Sequence, residues 1–434
     1  MLARTEIRIA GTPSLAQTML ALVLLAGCAP AQQEPPAAAA PESAASPAPA
    51  PEPAVTATVY QGARLIIGDG NVIENGSFVV EDGKFTAVGA MDSIVLPAGA
   101  TTVDLTGATV MPTLIDGHVH LNTTRDALVE DLRKRATFGV SAAFGMGMDG
   151  DAIPLQVRDE AAAGIALYRS AGRGITTPEP GRTEVPHWIT TAEAARAAVR
   201  EEAARGVDII KIWVDDRNGQ YERLTPELFG AIIDEAHANN LRVTAHIFGL
   251  QDAKNLLTAG VDAFAHGVRE QDIDDEFVAM MQARPAVVVV PNLPARGVAT
   301  DLEWLRGSIP DEQLQQLLDA PQGQQATLDA FGIQARNLQR LSEAGVRIAM
   351  GTDGNVPWGP HIEMEDMVAS GMSARDVITA ATSVSAAYME LDDRGTLAPG
   401  KVADFMVLDA NPLDDITNTR RIRSVFLGGT AVTR

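Results

Sequence analysis

Between about residues 111 and 390 the chain alternates short apolar runs with Ala- and Glu-rich stretches, eight times over. This alternation limits the fold more than any other feature. Aliphatic runs of four to eight residues set between helices have to be buried on both faces, as in a parallel sheet. The runs at 114–118, 140–144, 165–169, 208–213, 241–246, 261–266, 286–291 and 346–351 read as strands. One intervening helix is expected to start at Thr190, with Glu193 three residues on as a capping box. Another is expected at Thr225-Pro226-Glu227, a cap followed by Pro at the first helical position. Eight strands interleaved with helices predict an α/β chain with a (β/α)8 TIM-like barrel over residues 111–390. An open, doubly wound parallel sheet satisfies the same periodicity. The stretch 292–341 reads as mostly helical, with a lid or insertion after the seventh strand.

The flanks have a different texture. Strands are expected at 60–67, 77–80, 84–88 and 101–110, separated by turns at Asp69-Gly70, Asn75-Gly76 and Asp82-Gly83. The far end repeats this, with strands at 404–408 and 422–427 and turns at Pro399-Gly400 and Gly428-Gly429. Residues 55–110 and 391–434 therefore predict one small composite β domain, a β-sandwich built by both chain ends.

The first 54 residues do not read as fold. Arg4 and Arg8 precede an apolar run over 15–27, too short to span a bilayer and suited to a signal-peptide core. It ends Leu25-Ala26-Gly27-Cys28, which resembles the lipobox of bacterial lipoproteins. The resemblance implies a signal peptide over 1–27, lipidation at Cys28 and a place in the bacterial cell envelope, lipid-anchored and facing the periplasm. An ordinary secretory signal with a chance Cys is the alternative. Residues 28–54 are rich in Ala and Pro, which precludes stable helix or strand and predicts an extended tether. The only Cys in the chain falls in this address, so no internal disulfide framework and no Cys-rich zinc site is expected. With 34 Lys plus Arg against 56 Asp plus Glu, the net charge is −22, and −23 once Arg4, Glu6 and Arg8 are removed. Nucleic acid is thereby disfavoured as a partner. The expected partner is a small-molecule substrate, the membrane is met through the lipid anchor only, and a homo-oligomer stays open.

The polar residues at strand ends carry the chemistry. His118 and His120 lie two apart on the first strand, so both imidazoles point the same way. Lys211 sits inside the apolar run Ile209-Ile210-Lys211-Ile212, where a charged amine is costly unless paired or chemically altered. His246 and His266 end the fifth and sixth strands, and Asp353 follows the eighth. Each residue alone has a structural explanation. Together they put nitrogen and oxygen ligands at the carboxyl ends of strands, the barrel face that carries active sites.

This ordered set resembles the amidohydrolase superfamily, in particular its binuclear members with a carboxylated lysine, the imidazolonepropionase-like and dipeptidase-like group. The stretch Gly395-Thr396-Leu397-Ala398-Pro399-Gly400-Lys401-Val402-Ala403-Asp404 resembles the segment with which these enzymes re-enter their small β domain. A departure is Thr113, where the family usually has Gly. The resemblance implies two divalent metal ions of the zinc kind, about 3.5–4 Å apart and sharing a hydroxide. It implies that His118, His120 and Asp353 bind the buried metal and that His246 and His266 bind the outer one. Lys211, as N6-carboxylysine, would bridge both. Asp353 would act as the catalytic proton shuttle. The implied reaction is hydrolysis of an amide, peptide-like or cyclic amide bond.

Three alternatives stay open: a lactonase or esterase on the same metal core, a deaminase, and a non-catalytic surface-anchored binding protein. The deaminase pattern has Glu three residues after the fifth-strand His, whereas this chain reads His246-Ile247-Phe248-Gly249. Substrate residues are sought on the loops after the strands: Arg173, Trp213, Arg269, Asn292 and Trp358, with Asp215-Asp216-Arg217, Phe248 and His361 nearby. Arg269 is the candidate to hold a substrate carboxylate. His187 and His237 are not assigned to the metal.

Overall fold

Aliphatic runs with no polar face form parallel strands that helices cover. The computed structural model describes residues 57–160, 162–296, 298, 300–320 and 325–433. The expected signal peptide, tether and Cys28 lie outside the described residues. Among the described residues no helix is long and apolar enough to cross a membrane.

The central region is a mixed α/β structure with all eight expected strands. Leu114–Val119, Val140–Gly145 and Leu167–Ser170 form a three-stranded parallel sheet. Ile210–Val214, Val243–Ile247, Ala263–Ala265, Val288–Val290 and Arg347–Ile348 follow one another in a seven-stranded parallel sheet, which the short strands Ile175–Thr176 and His187–Trp188 extend. Ile210–Val214 and Val243–Ile247 are buried at every residue. Backbone hydrogen bonds join the two sheets at both edges. Asp208 N–H donates to Ser170 O at 2.9 Å on one side, and Gly117 N–H donates to Met350 O at 2.9 Å on the other.

Helices between the strands present apolar faces inward. Pro226–Ala238 buries Leu228, Phe229, Ile232 and Ile233, and the Thr225 side chain accepts from Leu228 N–H as its cap. The other expected cap moves by one residue. Thr191, not Thr190, has extended backbone and accepts from Ala194 N–H, so Glu193 falls in the wrong place for a capping box. The segment after Val288–Val290 is helical at Asp311–Asp319 and Gln325–Glu343. Its Leu302, Leu305 and Leu314 pack with Phe138 and Trp358. It is an insertion after the seventh strand, as expected, and none of its described residues lines the main cleft.

Both chain ends share one eight-stranded sheet. Phe405–Leu408 pairs antiparallel with Thr109–Pro112 on one side and with Ile422–Leu427 on the other. Its core is aromatic: Tyr60 stacks on Phe78 at 4.7 Å and Phe405 on Phe426 at 4.4 Å between centroids. Two expectations change here. Asn75-Gly76 lies inside the strand Val72–Glu81 rather than in a turn, because a side chain at Gly76 would strike Leu65 on the neighbouring strand. The expected strand 101–110 is two strands, Thr101–Asp104 and Thr109–Pro112, broken where the Asp104 carboxylate accepts from Thr106 N–H. Thr113, the departure from Gly, donates its hydroxyl to Ser141 Oγ at 2.7 Å and makes a buried tie between strands.

Candidate metal centre

Parallel register brings the ligand-type residues to one end of the strands. Trp213 is in register with His246, and His246 with Ala265, the residue before His266. The chain then leaves three neighbouring strands through left-handed backbone at non-glycine residues: His266 at φ 86°, Asn292 at φ 46° and Asp353 at φ 52°. Such conformations cost of order 1 kcal/mol or more each and persist where the surroundings enforce them. Gly351 is required beside them, since a Cβ there would meet Val290 and His118 within 3 Å.

His118 and His120 do point the same way. Their Nε2 atoms are 3.3 Å apart, and Asp353 Oδ1 lies 3.2 Å from one and 3.0 Å from the other. Asp353 Oδ2 is 3.7 Å from His266 Nε2, and the His246 and His266 rings are 4.7 Å apart. His118, His266 and Asp353 together form a group able to hold a metal ion.

Protonation states follow from burial and hydrogen bonding. Desolvation, reinforced by Lys211, pushes His118 down to about 3. Desolvation also pushes His246 down to about 4, against the hydrogen bond to Asp215, and holds His266 well below its usual value. The imidazoles are thus neutral near pH 7. Burial alone would raise the Asp353 carboxyl, but His118 and His120 beside it hold it well below the usual carboxylate range. Asn292 Oδ1 lies 3.1 Å from His118 Nδ1, which assigns the proton to Nδ1 and leaves a lone pair on Nε2. His246 Nε2–H donates to Asp215 Oδ2 at 3.0 Å, leaving its Nδ1 as the ligand atom. His118, His120 and the anionic Asp353 thus converge with their ligand-type atoms within hydrogen-bond distance of one another, a nitrogen and oxygen set suited to a cation.

Lys211 is fully buried, and its Nζ has no partner among the described residues. Burial drives its amine down to about 7. Trp213 lies against it, with Nζ 5.5 Å from a ring centroid. A buried amine with a large neutral fraction near pH 7 fits a group that reacts to become an anion. Behind the site, buried Asp116 accepts from Arg135 Nη1 at 2.8 Å and from the Thr352 hydroxyl at 2.8 Å, which braces the turn carrying Asp353.

The centre lies in a cleft of about 720 Å³. Trp213 lines it, but the other expected substrate residues do not. Trp358 is packed in an apolar cluster with Phe138 and Leu305. Arg173 turns to Val185 O at 2.6 Å and to Glu201. Asn292 sits beneath the site, against His118. Arg269 is mostly buried and stands outside the cleft lining. His361 is a buried structural residue, tied to Thr419 and Phe138 O. His187 pairs with Glu202 at 2.8 Å and His237 with Asp262 at 2.9 Å, both away from the cleft. Instead, Asn122, Met148, Glu179, Arg182 and Arg217 line the wall. Glu179 and Arg182 come from the Pro-rich loop after Ile175–Thr176, where no periodicity signals direction. Only Arg217 had been singled out, by its place after Lys211.

Residues 109–432 match the amidohydrolase family. An ochratoxinase from Aspergillus niger is 26% identical over 438 residues, covering 86% of this chain and 86% of that protein. An imidazolonepropionase from Deinococcus radiodurans is 26% identical over 393 residues, covering 84% of this chain and 92% of that protein. The solved structure of a Xaa-Pro dipeptidase with bound methionine in the active site matches with a TM-score of 0.70 at 23% identity, over 87% of this chain and 99% of that one. The chain belongs to the amidohydrolase family, hydrolases that act on carbon–nitrogen bonds.

Proposed function

We propose that the chain is a binuclear metal hydrolase that cleaves an amide, peptide-like or cyclic amide bond. The observation that carries this reading is the convergence of His118, His120, His266 and Asp353 at the ends of the strands. The unpartnered, buried Lys211 amine beside them supports it.

The nitrogen and oxygen donor set fits zinc-like ions. His118, His120 and Asp353 would hold one ion, His246 and His266 the other. Lys211 would bridge them after its neutral Nζ attacks the carbon of CO2. A C–N bond forms, one proton is lost to solvent, and the product is a carbamate with two oxygens. When bound, the ions supply Lewis acidity, acidifying water and polarising a carbonyl. Asp353 takes the proton from the attacking water and delivers it to the leaving nitrogen. Its side chain is 38% exposed, against 1% for His118, so it can reach both. Asn292 and Asp215 hold His118 and His246 in the required tautomers.

The architecture suited to this site is a (β/α)8 barrel over 111–390, and hydrogen bonds at both edges of the two parallel sheets favour closure. The chain ends, 55–110 and 391–434, would form a small β-sandwich around the aromatic cluster. Residues 1–27 would be the signal peptide and 28–54 a tether from a lipid-modified Cys28, holding the enzyme in the bacterial cell envelope, facing the periplasm.

The test is metal analysis of the purified protein together with turnover of an amide, ester and lactone panel. About two divalent ions per chain and chelator-sensitive amide hydrolysis are expected. Retention of no metal, or turnover confined to esters and lactones, would overturn the reading.

A further inference from the structure

The helix Gly359–Ala369 follows Asp353 and turns three polar side chains inward: His361, Glu363 and Asp366 are all buried. Two of them have ordinary structural partners. His361 is tied to Thr419 and Phe138 O, and Asp366 pairs with Arg296 at 2.6 Å. Glu363, 4% exposed, meets backbone instead. The N–H of Leu293 donates to its carboxyl, 3.1 Å from one oxygen and 3.3 Å from the other.

That amide sits at a sensitive place. The strand Val288–Val290 runs into Pro291-Asn292-Leu293-Pro294. Proline has no N–H, so Asn292 and Leu293 carry the only backbone donors of these four residues. Asn292 is left-handed at φ 46°, and its Oδ1 lies 3.1 Å from His118 Nδ1. Its own Nδ2 has no partner among the described residues, so the side chain is held at one end only. The position of that oxygen is then set by the backbone on either side, the strand before it and the Leu293 amide after it. Farther along, Arg296 is fastened to the same helix by Glu365 at 2.7 Å as well as by Asp366. The segment therefore stays on the helix when the Glu363 bond alone is removed. Burial, with Asp366 beside it, holds the Glu363 carboxyl well above the usual carboxylate range. What this side chain supplies is an acceptor, which a neutral amide supplies equally well.

We propose that Glu363 is a positioning residue for the metal centre: by holding Leu293 N–H it fixes the Asn292 turn, and so the ring and tautomer of His118. The helix after Asp353 thus sets a ligand that belongs to the first strand. This rests on the reading of His118 as a metal ligand, and two measurements separate the claims.

In the first, Zn²⁺ affinity of the purified protein is read by competition with a chelator. Glu363→Met lowers it about tenfold, the lower end of the range for groups that orient a ligand. Glu363→Gln keeps the acceptor and stays within about twofold of wild type. Asn292→Gly keeps the left-handed turn but loses the oxygen. In that background Glu363→Met costs less than about twofold, because the link it acts through is gone. In the second, metal-free protein carries ¹⁵N-labelled histidine, and the His118 Nδ1–H is identified as the proton that Asn292→Gly opens to exchange with water. Its exchange quickens in Glu363→Met and not in Glu363→Gln. If Glu363→Met does not fold, Glu363→Asp, one methylene short of Leu293, takes its place with the same expected signs. If wild type binds no Zn²⁺ but the exchange results hold, the metal reading fails and the positioning of His118 stands. The proposal is overturned by equal losses of affinity with and without Asn292, by a Gln variant as impaired as the Met variant, or by no change in either measurement.

Discussion

The core of the composite β sheet and the carboxyl ends of the parallel strands are built on opposite terms. In the sheet, Tyr60, Phe78, Phe85, Phe405 and Phe426 meet as stacked or edge-on rings with little polar chemistry between them. At the strand ends, left-handed backbone, neutralised imidazoles and the bare Lys211 amine lie close together. One region lowers the free energy of the fold. The other stores cost that an external ligand would recover. Strain concentrated in one place, next to a well-packed sheet that can offset it, separates a site from a core.

Five substitutions can break that contrast. Asp353→Asn has the largest effect. Turnover falls by roughly 10²–10⁴-fold, because the amide cannot carry the proton. Asn also tolerates left-handed backbone, so the turn survives. The anion's favourable contacts with His118 and His120 are lost, and the urea midpoint of the metal-free variant falls a little below that of metal-free wild type. Phe405→Ala does the reverse. Its ring is fully buried against four others, and its loss costs about 3–5 kcal/mol of stability, read as a lower urea midpoint. The protein that remains folded keeps its metal content. Asn292→Leu lies between the two. Metal affinity drops by roughly 10–100-fold, measured by competition with a chelator, and the urea midpoint falls by the equivalent of about 1 kcal/mol because Leu is strained in the left-handed backbone there. The smallest effect tests local structure: Thr191→Ala costs about 1 kcal/mol, and Thr190→Ala close to none.

Much of this was legible in the sequence, for identifiable reasons. Strands buried on both faces announce themselves as aliphatic runs, so all eight appear where expected. Alternation along a strand gives side-chain direction, which is why His118 and His120 could be paired from spacing alone. Loops give no such direction. Trp213 lies within a strand, whereas Trp358 and Arg173 follow theirs on loops, and one packs with Phe138 while the other turns to Val185. Asn292 was read as touching substrate because it follows a strand, but its left-handed backbone puts its oxygen under His118. Glu179 and Arg182 lie in a Pro-rich loop whose path is decided by contacts more than thirty residues away, such as Glu179 with Arg217. The cap moved by one because Thr190 and Thr191 offer the same hydroxyl, and only backbone geometry chooses between them.

The central claim is that Lys211 becomes an anion bridging two metals. It is tested most directly by equilibrating the protein with ¹³C-labelled bicarbonate and recording the carbamate carbon by NMR, alongside metal analysis of the same sample. One carbamate signal per chain that tracks metal loading is expected, and in Lys211→Ala the loss of that signal together with metal. An active, metal-replete enzyme with no carbamate signal would contradict it.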